Sequence, residues 1–198
     1  MTDRDRPALA DRRDTDRVYQ PAEDSDLLAG VVVEYVEGDD RVLDVGTGSG
    51  YVGGRIAEAT GARVVGSDVN PHACRQAHES GLPAVRAHLL APFRADSFDV
   101  VAFNPPYLPT DPDREWSDWM ERALSGGPDG RRVVEPFLAD LRRVLATDGD
   151  AFLLVSTLTG LDDVRDVARA NGLTTMEAAS ESHPYERLAV FHLRPSGR

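Results

Sequence analysis

The sequence predicts an α/β protein, a mostly parallel seven-stranded sheet with helices and an antiparallel hairpin at its C-terminal end. Three observations carry this. Short apolar runs rich in Val, Leu and Phe alternate with segments of helical periodicity along most of the chain. A strand at 41–45 leads straight into a glycine-rich turn and then a helix. The last two strand patterns, 174–180 and 187–193, are separated only by Glu181 to Glu186, a spacing that favours a hairpin.

The 198 residues, 41% of them hydrophobic, suffice for one domain with a sizeable core. Acidic residues outnumber basic ones 34 to 22, for a net charge of −12. All 22 basic residues are Arg, and Asp exceeds Glu by 23 to 11. A Lys-free, Asp-rich surface suggests adaptation to high salt, where carboxylates stay hydrated and their repulsion is screened. GC-biased codon usage is the alternative. The lone Cys74 excludes an internal disulfide and suits a reducing cytosol, and the five His with Cys74 show no metal-ligand spacing. No apolar run approaches the roughly 18 residues of a membrane span, and no signal-peptide core is present. A cytoplasmic protein without a membrane partner is expected.

Residues 1–17 alternate Asp and Arg with almost no apolar content, so a disordered charged tail is expected ahead of a single domain at 18–198. Leu27, Leu28, Val31, Val32 and Tyr35 form one helical face, with Pro21, Glu23 and Asp24 suited to its start and Gly38 to Asp40 its end. The strand Arg41 to Val45 runs into Asp44-Val45-Gly46-Thr47-Gly48-Ser49-Gly50. Alternate glycines there permit positive φ and bring bare backbone close to a ligand at the N-terminus of the helix Tyr51 to Thr60. A second strand from Arg63 ends in Ser67-Asp68. Asp68 follows Gly48 by 20 residues, the place of a carboxylate that accepts ribose hydroxyls. Asn70 and Pro71 start a helix that Gly81 ends, and Pro83 to Ala87 is a short third strand before His88-Leu89.

Phe98 to Phe103 reads as a buried central strand, followed by Asn104-Pro105-Pro106-Tyr107. Two prolines remove two donors and fix φ near about −65°, so the chain leaves the sheet stiff and extended. The Asn104 side-chain oxygen and the carbonyls of Asn104 and Pro105 then form a rigid cluster of acceptors at a strand's carboxyl end. Taking both N–H bonds of a planar NH2 group, such a cluster holds it and favours the positive nitrogen that develops during alkyl transfer. The segment Asp111 to Gly130 reads either as a mobile substrate-binding loop with a short helix or as a helix packing its tryptophans on the sheet. A helix at 132–145, a turn at Asp148-Gly149, a fifth strand at 151–156 and a helix at 161–170 precede the hairpin.

A nicotinamide dehydrogenase is the rival for Gly48, Gly50 and Gly53. Asp44 opposes it, since a carboxylate beneath the turn repels a pyrophosphate and suits a ligand's ammonium group. An amine-bearing adenosine without phosphates, S-adenosylmethionine, fits better.

Together, Asp44-x-Gly46-x-Gly48-x-Gly50, Asp68 and Asn104-Pro105-Pro106-Tyr107 resemble a Rossmann-like class I S-adenosylmethionine-dependent methyltransferase acting on planar amino groups. Tyr19-Gln20-Pro21-Ala22-Glu23-Asp24-Ser25 and Leu124-Ser125-Gly126-Gly127-x-Asp129-Gly130 are similar to the HemK-related branch of archaea and eukaryotes, which with the salt-adapted composition suggests a halophilic archaeon. The resemblance covers about residues 18 to 193. It implies methylation of the glutamine amide in the Gly-Gly-Gln motif of a class I translation termination (release) factor. It further implies that Asp44, Gly46, Gly48 and Gly50 line the cofactor, with Val69 beside Asp68 on the ribose and Tyr19, Pro21, Glu23 and Asp24 as a cover. Asn104, Pro105, Pro106 and Tyr107 would bind the acceptor amide, Asn104 also facing the cofactor. Where the family has Asp-Leu against the adenine, this chain has His88-Leu89, whose neutral imidazole accepts through one ring nitrogen.

The resemblance also implies a small zinc-binding activator subunit in some members. A strand order of 3-2-1-4-5-7-6 leaves the third strand, 82–88, at an edge open to such a partner, the terminal hairpin covering the other edge. The alternatives are an adenine-amine methyltransferase on DNA or RNA, opposed by the charge and by the lack of a recognition domain, and a non-catalytic S-adenosylmethionine-binding subunit, opposed by the intact acceptor cluster.

Overall fold

The computed structural model describes residues 18–111 and 119–197. The expected tail at 1–17, Trp116 and Arg198 lie outside them. The elements in order are α1 (Glu23–Val33), β1 (Arg41–Val45), α2 (Tyr51–Thr60), β2 (Arg63–Asp68), α3 (Pro71–Glu79), β3 (Ala84–Arg86), β4 (Phe98–Phe103), α4 (Trp119–Leu124), α5 (Val134–Val144), β5 (Leu145–Ser156), α6 (Leu161–Ala170), β6 (Leu173–Ser182) and β7 (Arg187–Pro195), with a 3-10 turn at Thr157–Thr159.

One seven-stranded sheet has the order β3-β2-β1-β4-β5-β7-β6, with β7 antiparallel to both β5 and β6. Alternation along each central strand divides the core into two layers, because successive side chains point to opposite faces. Val42, Val100, Ala102, Phe152 and Leu154 meet Leu28 and Val32 of α1, Ile56 of α2 and Ala77 of α3. Leu43, Val101, Phe103, Leu153 and Val155 meet Phe137, Leu138 and Leu141 of α5 and Val164 of α6. Fully burying each such side chain contributes about 1.5–3 kcal/mol. The sheet therefore holds its strand ends rigidly.

Local chemistry sets the helix starts. Asn70 caps α3, its side-chain oxygen accepting from the His72 amide at 2.9 Å, with Pro71 following. Glu23, Asp24 and Asp26 fill the first turn of α1, where the helix dipole favours carboxylates.

Three expectations need correction. The fifth strand starts at Leu145, directly after α5, and not at Ala151. Phe98 pairs with Leu145 and Val100 with Asp150, so the chain around Asp148-Gly149 bulges out of a continuing strand. The hairpin does not cover the second sheet edge, because β6 is itself that edge. A register irregularity between Glu177 and Ala179 and the exposed charge of Glu177 and Glu181 blunt it. The third strand is confined to Ala84–Arg86. No helix among the described residues is long and apolar enough to cross a membrane.

Candidate active site

β1 and β4 lie side by side with Val45 opposite Phe103, so the turns that follow them leave the sheet together at its carboxyl end. Strand order reverses here, which opens a crevice. Gly46 and Gly48 have φ of +64° and +54°. A Cβ on Gly46 would stand 3.3 Å from the Phe103 ring and 3.8 Å from the Asn104 carbonyl, and one on Gly48 would stand 3.7 Å from the Tyr19 carbonyl. The glycine turn, the segment after β4 and the stretch before α1 therefore converge on one cleft.

Buried carboxylates shape its floor. Asp44 Oδ2 accepts from the Thr47 hydroxyl at 2.6 Å and the Gly53 amide at 3.0 Å, tying the turn to the first helical residues of α2. Burial pushes its carboxyl up to about 6 against the pull of these two bonds. Asp68, at the end of β2, accepts from the Gly48 amide at 3.0 Å through Oδ2 and from the Asn70 amide at 2.8 Å through Oδ1. Burial raises its pKa too. Each carboxylate oxygen has two acceptor positions, so Asp68 keeps capacity toward the cleft it lines.

Tyr19, Pro21 and Asp24 line one wall, the Tyr19 hydroxyl donating to Asp24 Oδ2 at 3.4 Å. Burial, helped by the Asp24 charge, pushes the Tyr19 phenol up to about 12, so it stays neutral. Val69, His88 and Leu89 line the far side. Leu89 has φ of +49°, a left-handed conformation that costs a non-glycine residue about 1 kcal/mol.

At the other end, Asn104 to Leu108 line the cleft. Asn104 Oδ1 is buried and has no hydrogen-bond donor among the described residues. Such an orphan costs about 1–3 kcal/mol and calls for a donor from outside the chain. Burial and then the Glu186 charge raise the Tyr107 phenol, which forms a neutral wall. The Leu124-to-Gly130 segment braces this arm. Leu108 N donates to the Leu124 carbonyl at 3.0 Å, and the Gly126 amide returns a bond to the Leu108 carbonyl at 2.9 Å. A Cβ on Gly130 would lie 2.5 Å from the Tyr107 carbonyl, so only glycine permits this contact.

Two expected residues fall outside the lining. Gly50, with φ of +85°, makes room for α3, since a Cβ there would sit 2.9 Å from Ala77 Cα. Glu23 lies on an outer groove between α1 and β6, facing His183. Of the segment 111–130, residues 112–118 with Trp116 lie outside the described residues; α4 buries none of its residues, and Trp119 lines the cleft beneath the Arg122 guanidinium, 5.1 Å from its ring. Thr47 and Ser125 also line the cleft. Both stand inside sequence motifs, the glycine turn and the Leu124-to-Gly130 segment, without a site role assigned to them there.

The arrangement offers bare backbone and a carboxylate for an adenosine, acidic groups for a cationic tail, and an unfilled acceptor for an NH2 donor. S-adenosylmethionine fits these residues. A pyrophosphate does not, because it would sit over Asp44.

Comparison with known proteins agrees with this geometry. A methyltransferase domain profile matches residues 42–127. A Methanocaldococcus jannaschii protein named for protein N5-glutamine methylation is 33% identical over 182 residues, covering 88% of this chain and 90% of its own. The human methyltransferase HEMK2 is 28% identical, with 90% of each chain covered. Among solved structures, the E. cuniculi Mtq2-Trm112 complex, responsible for methylating the eRF1 translation termination factor, matches at a TM-score of 0.75 and 28% identity, covering 91% of this chain and 99% of that one.

Proposed function

The chain belongs to the protein N5-glutamine methyltransferases, a HemK-related branch of the class I S-adenosylmethionine-dependent enzymes, and from that premise we propose that it methylates the glutamine amide of a translation termination factor. The observation that carries the proposal is the buried, donorless Asn104 Oδ1 beside the glycine turn. Asn104 Oδ1 and the Pro105 carbonyl accept the two N–H bonds of the acceptor amide and aim its nitrogen into the cleft. S-adenosylmethionine supplies an electrophilic methyl group on a sulfonium. Asp68 accepts from the ribose hydroxyls, with Gly46 and Gly48 bringing backbone against the same ligand. Val69, Leu89 and His88 flank its base, His88 accepting through a ring nitrogen. Tyr19, Pro21 and Asp24 cover the cleft, and Tyr107 and Pro106 wall the acceptor end. No base is required before transfer, because the acceptors stabilise the positive nitrogen as it forms, and that nitrogen would then release its extra proton to water.

The Gly-Gly-Gln loop of the termination factor is the substrate that this family membership supports. A partner subunit is also proposed. Mtq2 is found in complex with Trm112. Here β3 is a sheet edge whose Val85 is 43% exposed, a surface suited to strand addition by a small zinc-binding activator.

The role of Asn104 is tested by Asn104→Ala. Transfer to the termination factor should fall by roughly 100- to 1000-fold in kcat, while the dissociation constant of S-adenosylmethionine in calorimetry stays within about a factor of three. Parallel loss of both would refute the division of labour.

A further inference from the structure

The cleft has an organised outer rim. The β6–β7 turn, 183–186, stands at the carboxyl end of the sheet and is fixed at several points. His183 N donates to the Glu186 carbonyl at 2.8 Å, and Ser156 Oγ donates to Glu186 Oε2 at 2.5 Å. The Arg187 amide donates to Thr157 Oγ1 at 3.0 Å, and His183 Nδ1 lies 3.5 Å from Glu23 Oε2 at the start of α1. Between these anchored residues Tyr185 is 94% exposed, and Leu158, on the neighbouring 3-10 turn, is 42% exposed. A large aromatic side chain on a backbone fixed by these bonds offers much contact area for the freezing of only two side-chain torsions.

The same rim is acidic. The side chains of Glu23 and Glu181, both facing His183 of this turn, are 79% and 52% exposed. His183 of this turn meets Glu23, the neighbour of the cleft-lining Asp24, and Glu186 is held by Ser156 at the end of β5. The turn therefore borders the mouth through which an acceptor amide enters.

We propose that Tyr185 and Leu158, with the carboxylates of Glu181 and Glu23 beside the same turn, form a docking surface for a basic segment of the protein substrate next to its methylated glutamine. The inference rests on the proposed function and adds how the protein substrate is held. Charge selects the occupant. Nucleic acid would meet carboxylates with its phosphates, and a second copy of a chain at −12 would set like charges against like across a two-fold contact. A basic peptide segment with an apolar contact for Tyr185 satisfies both features.

The test compares two substrates, a full-length termination factor and a short peptide carrying only its glutamine loop, using the purified protein with any subunit that co-purifies. Tyr185→Ser and Glu181→Gln should each raise KM for the full-length factor, together by roughly ten-fold, through loss of an anchor and of a charge contact. Values of kcat, affinity for S-adenosylmethionine and KM for the peptide should stay unchanged, and Glu181→Gln should flatten the rise of KM with salt. An unchanged KM for the full-length factor, or an equal rise for peptide and protein, overturns the docking surface. If the wild-type protein methylates neither substrate while binding S-adenosylmethionine, the proposed function itself fails, and this surface with it.

Discussion

Asp44 shows how one residue serves structure and site together. Burial raises its folded pKa to about 6, above the roughly 3.9 of a free Asp, so the folded state holds the proton more tightly. Stability from this group is complete below pH 4 or so and is lost as pH rises through about 6, on the order of 3 kcal/mol in all. Asp44→Asn, which keeps an acceptor for Thr47 and Gly53, should therefore raise the unfolding midpoint relative to wild type more at pH 7.5 than at pH 5. A difference that is the same at both values would show that the buried charge carries no such penalty. Asp68 has another task. Asp68→Ala should weaken S-adenosylmethionine binding by roughly 10- to 100-fold, the worth of charge-assisted bonds to two hydroxyls. An unchanged dissociation constant would reduce Asp68 to a brace for Gly48 and Asn70. At this scale the sequence reveals residues that sit in a local motif. Asn104, Asp68 and Asp44 were legible because strand-end spacing places them. Glu23 and Gly50 lie outside the cleft lining, and a motif says nothing of which way a helix turns or what packs behind it.

Elements explain why these residues meet. The parallel pairing of Val45 with Phe103 puts the glycine turn and the Asn104 arm side by side, and apolar alternation predicted both strands. The start of β5 was not legible, since Leu145-Ala-Thr-Asp-Gly-Asp carries turn residues and no alternation. It extends because the bulge lets Leu145 pair with Phe98 while Asp148-Gly149 loops out. The brace at 124–130 was likewise visible only as a motif. Its purpose lies in backbone bonds to Leu108 and in the space that Gly130 leaves against Tyr107. The edge strand β3 supports the clearest prediction at this scale. Ala84→Pro removes a β3 N–H that faces away from β2 and should release an activator subunit that docks by strand addition, measured by co-purification, without lowering affinity for S-adenosylmethionine. Retention of the subunit, or full activity of the isolated chain, would remove β3 from the interface.

Across the whole molecule, the strand order was readable from strand–helix alternation and short connections, and the position of the crevice followed from it. The identity of the acceptor was not readable from the fold. A planar NH2 group satisfies Asn104 and Pro105 equally well in glutamine or adenine, and chemistry near the methyl group cannot separate them. What separates them is the surrounding surface, acidic at the rim and in the whole chain at −12, together with kinship to glutamine methyltransferases. The most direct measurement is transfer of label from S-adenosylmethionine to a termination factor and to the same factor with its Gly-Gly-Gln glutamine replaced by asparagine, beside an adenine-containing DNA duplex and RNA. The account predicts stoichiometric label on the intact factor, mapped to that glutamine, and none on the variant or the nucleic acids. Label that persists on the asparagine variant, or appears on adenine, would contradict it.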